Sequence, residues 1–163
     1  MQRALSWLCL LAALILVGCA TPQNAYVPPT GDPSTLAVIK PSSVRNGAWD
    51  WESYLIRSID NQPVTYNCFG NCQWTVTPGE HVIVVDVQFV RSLSGGGPYK
   101  SLAAVPVVVK AGKVYIPTGR EQHDQFGFEF VEETTRERAG GPVFRAMGIG
   151  STQTYIPMVV PKK

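Results

Sequence analysis

The chain is poor in charge and poorer still in histidine. Asp, Glu, Lys and Arg make up only 16% of its 163 residues, well under the ~25% of ordinary soluble domains. That shortage excludes a disordered acidic or basic protein, and the length excludes a large multidomain enzyme. The formal net charge is +2, too small to imply a nucleic-acid groove, so no nucleic-acid partner is expected. Two histidines leave little room for a nucleophile-base-acid triad, and no G-x-S-x-G elbow is present. No stretch repeats apolar residues convincingly at helical spacing. The longest apolar run, Ala4 to Val17, falls short of the ~20 residues that cross a bilayer as a helix.

That run is an address. Arg3 supplies a cationic start, and an apolar stretch of this length fits a signal peptide. Its end is more specific. Leu16-Val17-Gly18-Cys19 resembles the lipobox of bacterial lipoproteins. The resemblance implies a diacylglyceryl group on the Cys19 sulfur, cleavage before Cys19 and acylation of the new amine. Two or three chains anchor a protein stably where one holds it weakly. Ala20 is not the aspartate that retains such proteins in the inner membrane, so the resemblance implies the outer membrane, facing the periplasm. Removal of residues 1–18 takes Arg3 with it and leaves thirteen basic against twelve acidic side chains, a net charge of +1.

Residues 19–34 read as the lipidated N-terminus and a linker. Pro22, Pro28, Pro29 and Pro33 forbid helix interiors and regular ladders. Extended at ~3.1 Å per residue, such a spacer reaches on the order of 40 Å.

From Thr35 the pattern turns to strands. Leu36 to Ile39 opens the series and Pro41 closes it. Trp51 to Ile59 alternates, with Trp51, Leu55 and Ile59 on one parity and Tyr54 and Ile56 on the other. Val64 to Asn67 and Gln73 to Thr77 suggest a paired ribbon. His81 to Val90 is dense in β-branched residues. Leu102 to Lys110 and Lys113 to Thr118 suggest a hairpin around Ala111-Gly112, and Phe126 to Glu133 follows. About eight strands with short turns between them predict an all-β antiparallel sandwich over residues 35–133. Residues 134–163 read as a C-terminal tail that docks or adds a strand.

The turns Ser58-Ile59-Asp60-Asn61-Gln62-Pro63-Val64, Thr77-Pro78-Gly79-Glu80-His81-Val82 and Lys110-Ala111-Gly112-Lys113-Val114-Tyr115 follow a recurring plan. It resembles the small prealbumin-like, PEGA-type β-sandwiches of many bacterial lipoproteins. The resemblance implies a prealbumin-like or Ig-like sandwich of seven to eight strands and carries no catalytic residue. Asn61 stands where that plan prefers glycine, a mild change because asparagine tolerates positive φ.

Cys68-Phe69-Gly70-Asn71-Cys72 is the most distinctive local feature. An exported chain favours disulfides, and cysteines flanking a three-residue turn can face each other at bridging distance. A Cys68–Cys72 disulfide is therefore expected. The rival is a metal or redox site: C-x-x-x-C resembles the copper pair of certain thioredoxin-like assembly proteins, and thiolates with an imidazole such as His81 suit Cu(I). No βαβ pattern surrounds this motif. The bland role of His81 is a half-buried side chain bonded to a turn. His123, with Glu121 and Asp124, lies in a polar loop with too few good ligands for zinc. Ser94 to Ser101 fails as a phosphate loop, because Pro98 removes an amide and Tyr99 replaces the required glycine. Glu129, Glu132 and Glu133 suggest a solvated face rather than a glycosidase pair. Trp49, Trp51 and Trp74 form a candidate binding patch if exposed together, or sandwich core if buried. The expected function is a non-catalytic binding or scaffolding module in the envelope, without a cofactor. It would be held to the membrane by its lipid and would meet an envelope protein or glycan. The alternative is a metal-binding or redox protein using Cys68, Cys72 and a histidine.

Overall fold

The computed structural model describes residues 25–45, 47, 50–66, 71–91, 98–123 and 125–149. A single 3-10 turn, Pro33–Thr35, starts where Asp32 caps the amide of Ser34 at 2.8 Å. Every other regular element is a strand: β1 (Ala37–Ile39), β2 (Ser42–Arg45), β3 (Asp50–Ile59), β4 (Gln62–Pro63), β5 (Trp74–Val76), β6 (Gly79–Arg91), β7 (Tyr99–Val109), β8 (Val114–Gln122), β9 (Gln125–Glu132), β10 (Arg138–Ala146) and β11 (Gly148–Ile149). The all-β expectation holds.

The strands form one sheet in the order β2-β3-β6-β7-β10-β9-β8-β1-β5, with β4 added beside β3 and β11 beside β7. Neighbours are antiparallel except β1 and β8, which run parallel through Val38↔Val114 and Ile39↔Tyr115. The sheet is therefore mixed, where an antiparallel one was expected. It is also curled. β1 and β2 are one run of chain parted at Lys40-Pro41, where proline cannot donate to a ladder. The first half pairs with β8 and β5, the second with β3. The same run thus serves both sides of the sheet path, and the Ser42 hydroxyl donates to the Pro117 carbonyl of β8.

The curl brings distant inner faces together. Phe126 of β9 meets Tyr54 of β3 and Phe89 of β6, with ring centroids 6.0 and 5.2 Å apart, although β7 and β10 separate β6 from β9 in the sheet. Phe128, Phe130, Ile56 and Ile83 are buried with them. Each such side chain contributes roughly 1.5–3 kcal/mol on leaving water. Long alternating strands expose one face to this interior and the other to solvent. In β3 the alternation changes phase. A register shift between Ile56 and Ser58 turns Ile59 onto the buried face with Tyr54 and Ile56, whereas simple parity grouped it with Trp51 and Leu55.

Two local pairings differ from expectation. β7 and β8 are not a hairpin: β7 pairs with β6 and β10, and β8 with β9 and β1. The turn between them is bound elsewhere, the Gly112 amide donating to Leu36 O at 2.8 Å. The 64–67 and 73–77 ribbon is replaced by β5 pairing with β1. Residues 138–146, part of the segment expected to dock or add a strand, do add one, inserted between β7 and β9. Short-range turn signals identify strand ends well, yet they cannot say which strand a distant segment will join.

Gly140 makes that insertion feasible. A Cβ there would stand 2.1 Å from Pro106 O and 2.8 Å from the Val107 Cα, so only glycine lets β10 lie against β7. Gly140→Ala should lower stability by about 1–3 kcal/mol, the scale of overpacking. Gly47→Ala, where a Cβ meets nothing within 4 Å, should leave the urea midpoint unchanged. Equal midpoints for both variants would refute the packing argument.

Candidate functional site

The strongest constellation joins two of the turns read from the sequence. Asp60 and Asn61 both have positive φ, 48° and 65°, in the two-residue connection from β3 to β4 where Ile59 faces Gln62. This is the type I′ geometry of tight hairpins, which asparagine and aspartate support. Asp60 then reaches β6. Its amide donates to Val82 O at 2.9 Å and its Oδ1 accepts from Val82 N at 2.9 Å. Its Oδ2 lies 2.6 Å from His81 Nδ1, while His81 Nε2 lies 2.7 Å from Thr77 O. A carbonyl oxygen can only accept, so Nε2 donates to Thr77. Both imidazole nitrogens are thereby committed, and neither is left for a metal. The Asp-Asn turn and the Thr-Pro-Gly-Glu-His segment are bound to each other, and the histidine is the rivet. Among the described residues, no group of three His, Cys, Asp or Glu side chains could hold a metal ion.

The other candidates are dispersed. Cys19, Trp49, Cys68 and Asp124, with the glycine-rich loop 94–97, lie outside the described residues. Cys72 is buried beside Trp74 in the core and carries no titratable thiol, being disulfide-bonded. Trp74 is buried as well, meeting the Tyr66 ring edge-on at 5.2 Å. It is core, not an element of an exposed tryptophan patch, because β5 pairs with β1 over the closed interior. Trp51 is half-buried on β3. His123 is exposed in the β8–β9 turn at φ 54°.

The carboxylates of β9 are not one solvated face. Glu132 is buried and folds back on the following turn, accepting from the amides of Thr134 and Thr135. The Thr135 hydroxyl and amide hold its carboxyl below the usual range. Glu129 pairs with Arg138 at 3.0 Å, and Glu133 with Lys40 at 3.0 Å. The expectation of a solvated face misses the turn after β9, which gives Glu132 its donors.

Two tyrosines unremarked in the sequence prove central. On the side where β4 and β5 approach, no strand pairing joins them. Tyr26 bridges this seam: its amide donates to Pro63 O of β4 at 2.8 Å, and its hydroxyl donates to Thr75 O of β5 at 2.7 Å. Tyr66 forms a second bridge, donating to Ile56 O of β3 at 2.6 Å while packing on Trp74 of β5. The linker read as a free spacer over 19–34 is therefore docked from Tyr26 onward. Its proline content excluded helix and ladder correctly but was silent about one aromatic anchor. Burial pushes both phenols up to about 12, with the Asp60 charge adding to the effect at Tyr26.

Compared with protein-family models, with curated proteins and with solved structures, the chain matches none.

Two measurements address this geometry. His81→Ala removes the partner of Asp60 Oδ2 and Thr77 O and should cost about 1–3 kcal/mol in chemical unfolding. A variant as stable as the parent would show the rivet to be ornamental. The tyrosines define a second test. An unfolded tyrosine ionises near pH ~10, so folded Tyr26 and Tyr66 keep their protons through a window in which the unfolded chain loses them. Their stabilisation is complete below the unfolded value and declines as pH rises through about 12. Phenolate absorbance should show a late step that coincides with loss of stability, and Tyr26→Phe should shrink that step. An unchanged late step in Tyr26→Phe would contradict the assignment.

Proposed function

We propose that this chain is a lipid-anchored cell-envelope protein, attached through Cys19 to the outer membrane and facing the periplasm. It acts there as a non-catalytic binding or scaffolding module. The observation that carries the reading is Leu16-Val17-Gly18-Cys19 at the end of a short apolar run, which matches the requirements of lipid attachment better than those of a bilayer span. The docked Tyr26 supports it, because the segment following Cys19 leads straight into a folded domain.

The non-catalytic part of the reading rests on how the chemistry-bearing side chains are spent. His81 rivets two turns, Glu132 caps one, and Glu129 and Glu133 sit in ion pairs. The reading includes a prealbumin-like two-layered sandwich, supported by the packing of Phe126 on Tyr54 and Phe89 across the interior. It also includes a Cys68–Cys72 disulfide. Cys72 has no free thiol, and Cys68 is the cysteine four positions before it, within reach across a short turn. The partner class is an envelope protein or glycan.

Metabolic labelling with a palmitate analogue tests the anchor. The parent chain should incorporate label and sediment with membranes, while Cys19→Ser should lose both. Membrane attachment unchanged in Cys19→Ser would overturn the reading. Alkylation of the same preparation before reduction should find no reactive thiol; a reactive Cys68 and Cys72 pair that retains copper would favour the metal alternative instead.

A further inference from the structure

We propose that the seam between β4 and β5, with Val27 and Tyr66 at its surface, is the face this protein lays against a lipid surface. The inference rests on the anchored reading above and adds an orientation to it.

Four large hydrophobic side chains are conspicuously exposed among the described residues: Val27 at 78%, Val108 at 55%, Val44 at 45% and Tyr66 at 40%. Two of the four belong to the seam. Val27 follows the clasp residue Tyr26, and Tyr66 bridges β3 to Trp74 beside Thr75, the residue that Tyr26 holds. A tyrosine with its ring half in water suits the boundary between headgroups and water. The segment itself brings no charge to the seam, since no charged residue occurs from Cys19 to Gly31, and the nearby Asp60 is bonded to His81 and to the Val82 amide.

The leash selects this side. Only Ala20 to Ala25 separate Cys19 from Tyr26, and six residues at ~3.1 Å each reach about 19 Å even when extended. β6 alone has 13 residues, which at ~3.4 Å each make a domain axis of roughly 44 Å. A lipid on Cys19 therefore keeps the seam close to the bilayer. Val44 lies at the opposite end of β3, paired with Glu52, whereas β4 of the seam pairs with Ser58 and Ile59. The apolar pair at the seam lies where the anchor would bring it.

The test uses the full lipidated protein in vesicles of phosphatidylethanolamine and phosphatidylglycerol that contain a nitroxide-labelled lipid. A fluorophore is attached at Val27→Cys or at Val44→Cys, both exposed sites whose substitution spares the core. Quenching should be several-fold stronger at position 27 than at position 44. Equal quenching would overturn the proposal while leaving the anchor intact. Protein that stays in the supernatant would remove the anchored reading, and the proposal with it. A Gly-Ser insertion after Asn24 that doubles the leash separates face from tether. Persistent asymmetry supports lipid contact by the seam itself, and its loss assigns the effect to leash length alone and overturns the proposal.

Discussion

The architecture depends on a single run of chain being shared between two sides of one sheet. Residues 37–39 add to β8 in parallel, and residues 42–45 add to β3 in antiparallel fashion. A flat sheet could not satisfy both pairings at once, so the sheet must curl until β8 and β3 flank the same segment. Pro41 sits at the changeover, where a residue with no amide hydrogen is tolerated because neither ladder needs one. The aromatic interior follows from this constraint. Phe126 can reach Tyr54 and Phe89 only because the curl places β9 opposite β3 and β6.

A curled sheet that shares one run still leaves an edge problem. Where β1 turns to β8 and β5, the upper part of β3 has only the short β4 on the edge opposite β6. Unpaired carbonyls on a strand edge invite the wrong partner. Tyr26 and Tyr66 satisfy three of them, on Pro63, Thr75 and Ile56, by one amide and two hydroxyls. The clasp brings the N-terminal segment into the fold at Tyr26. The Asp60–His81 rivet stands at the same end, fixing the β3–β4 turn to the start of β6. Closure of the β3–β4 turn and of the seam thus draws on a few residues at one end of the sheet.

The sequence plan of turns earns a physical explanation here. Aspartate in the Asp-Asn turn supplies a carboxylate for the amide of Val82 and the imidazole of His81, and that imidazole returns to the Thr77 carbonyl. Two of the three turn segments, those at Asp60 and at His81, are one hydrogen-bonded unit. The same unit explains why a histidine at a strand start is not a ligand: both nitrogens already have oxygen partners.

Strand positions were legible from residues alone, because alternation, β-branching and Pro-Gly punctuation act over a few residues. β3, β6 and β9 lie close to where those signals put them, and the all-β class follows from them. The apolar run ending at Cys19 is an equally local signal, and it governs the functional expectation. Partner choice was not legible. That β7 turns away from β8, that β10 enters between β7 and β9, and that β5 joins β1 depend on contacts across the chain, such as the space left by Gly140 against Pro106. The phase change at Ile56–Ser58, which moves Ile59 inward, depends on β6 as a template. Tyr26 and Tyr66 became visible as clasps only once β4 and β5 stood side by side, since a phenol in a proline-rich stretch has no local signature of what it will bridge. Short-range chemistry determined where this chain makes strands and turns; only the long-range closure of the sheet decided which edges meet and which side chains hold them.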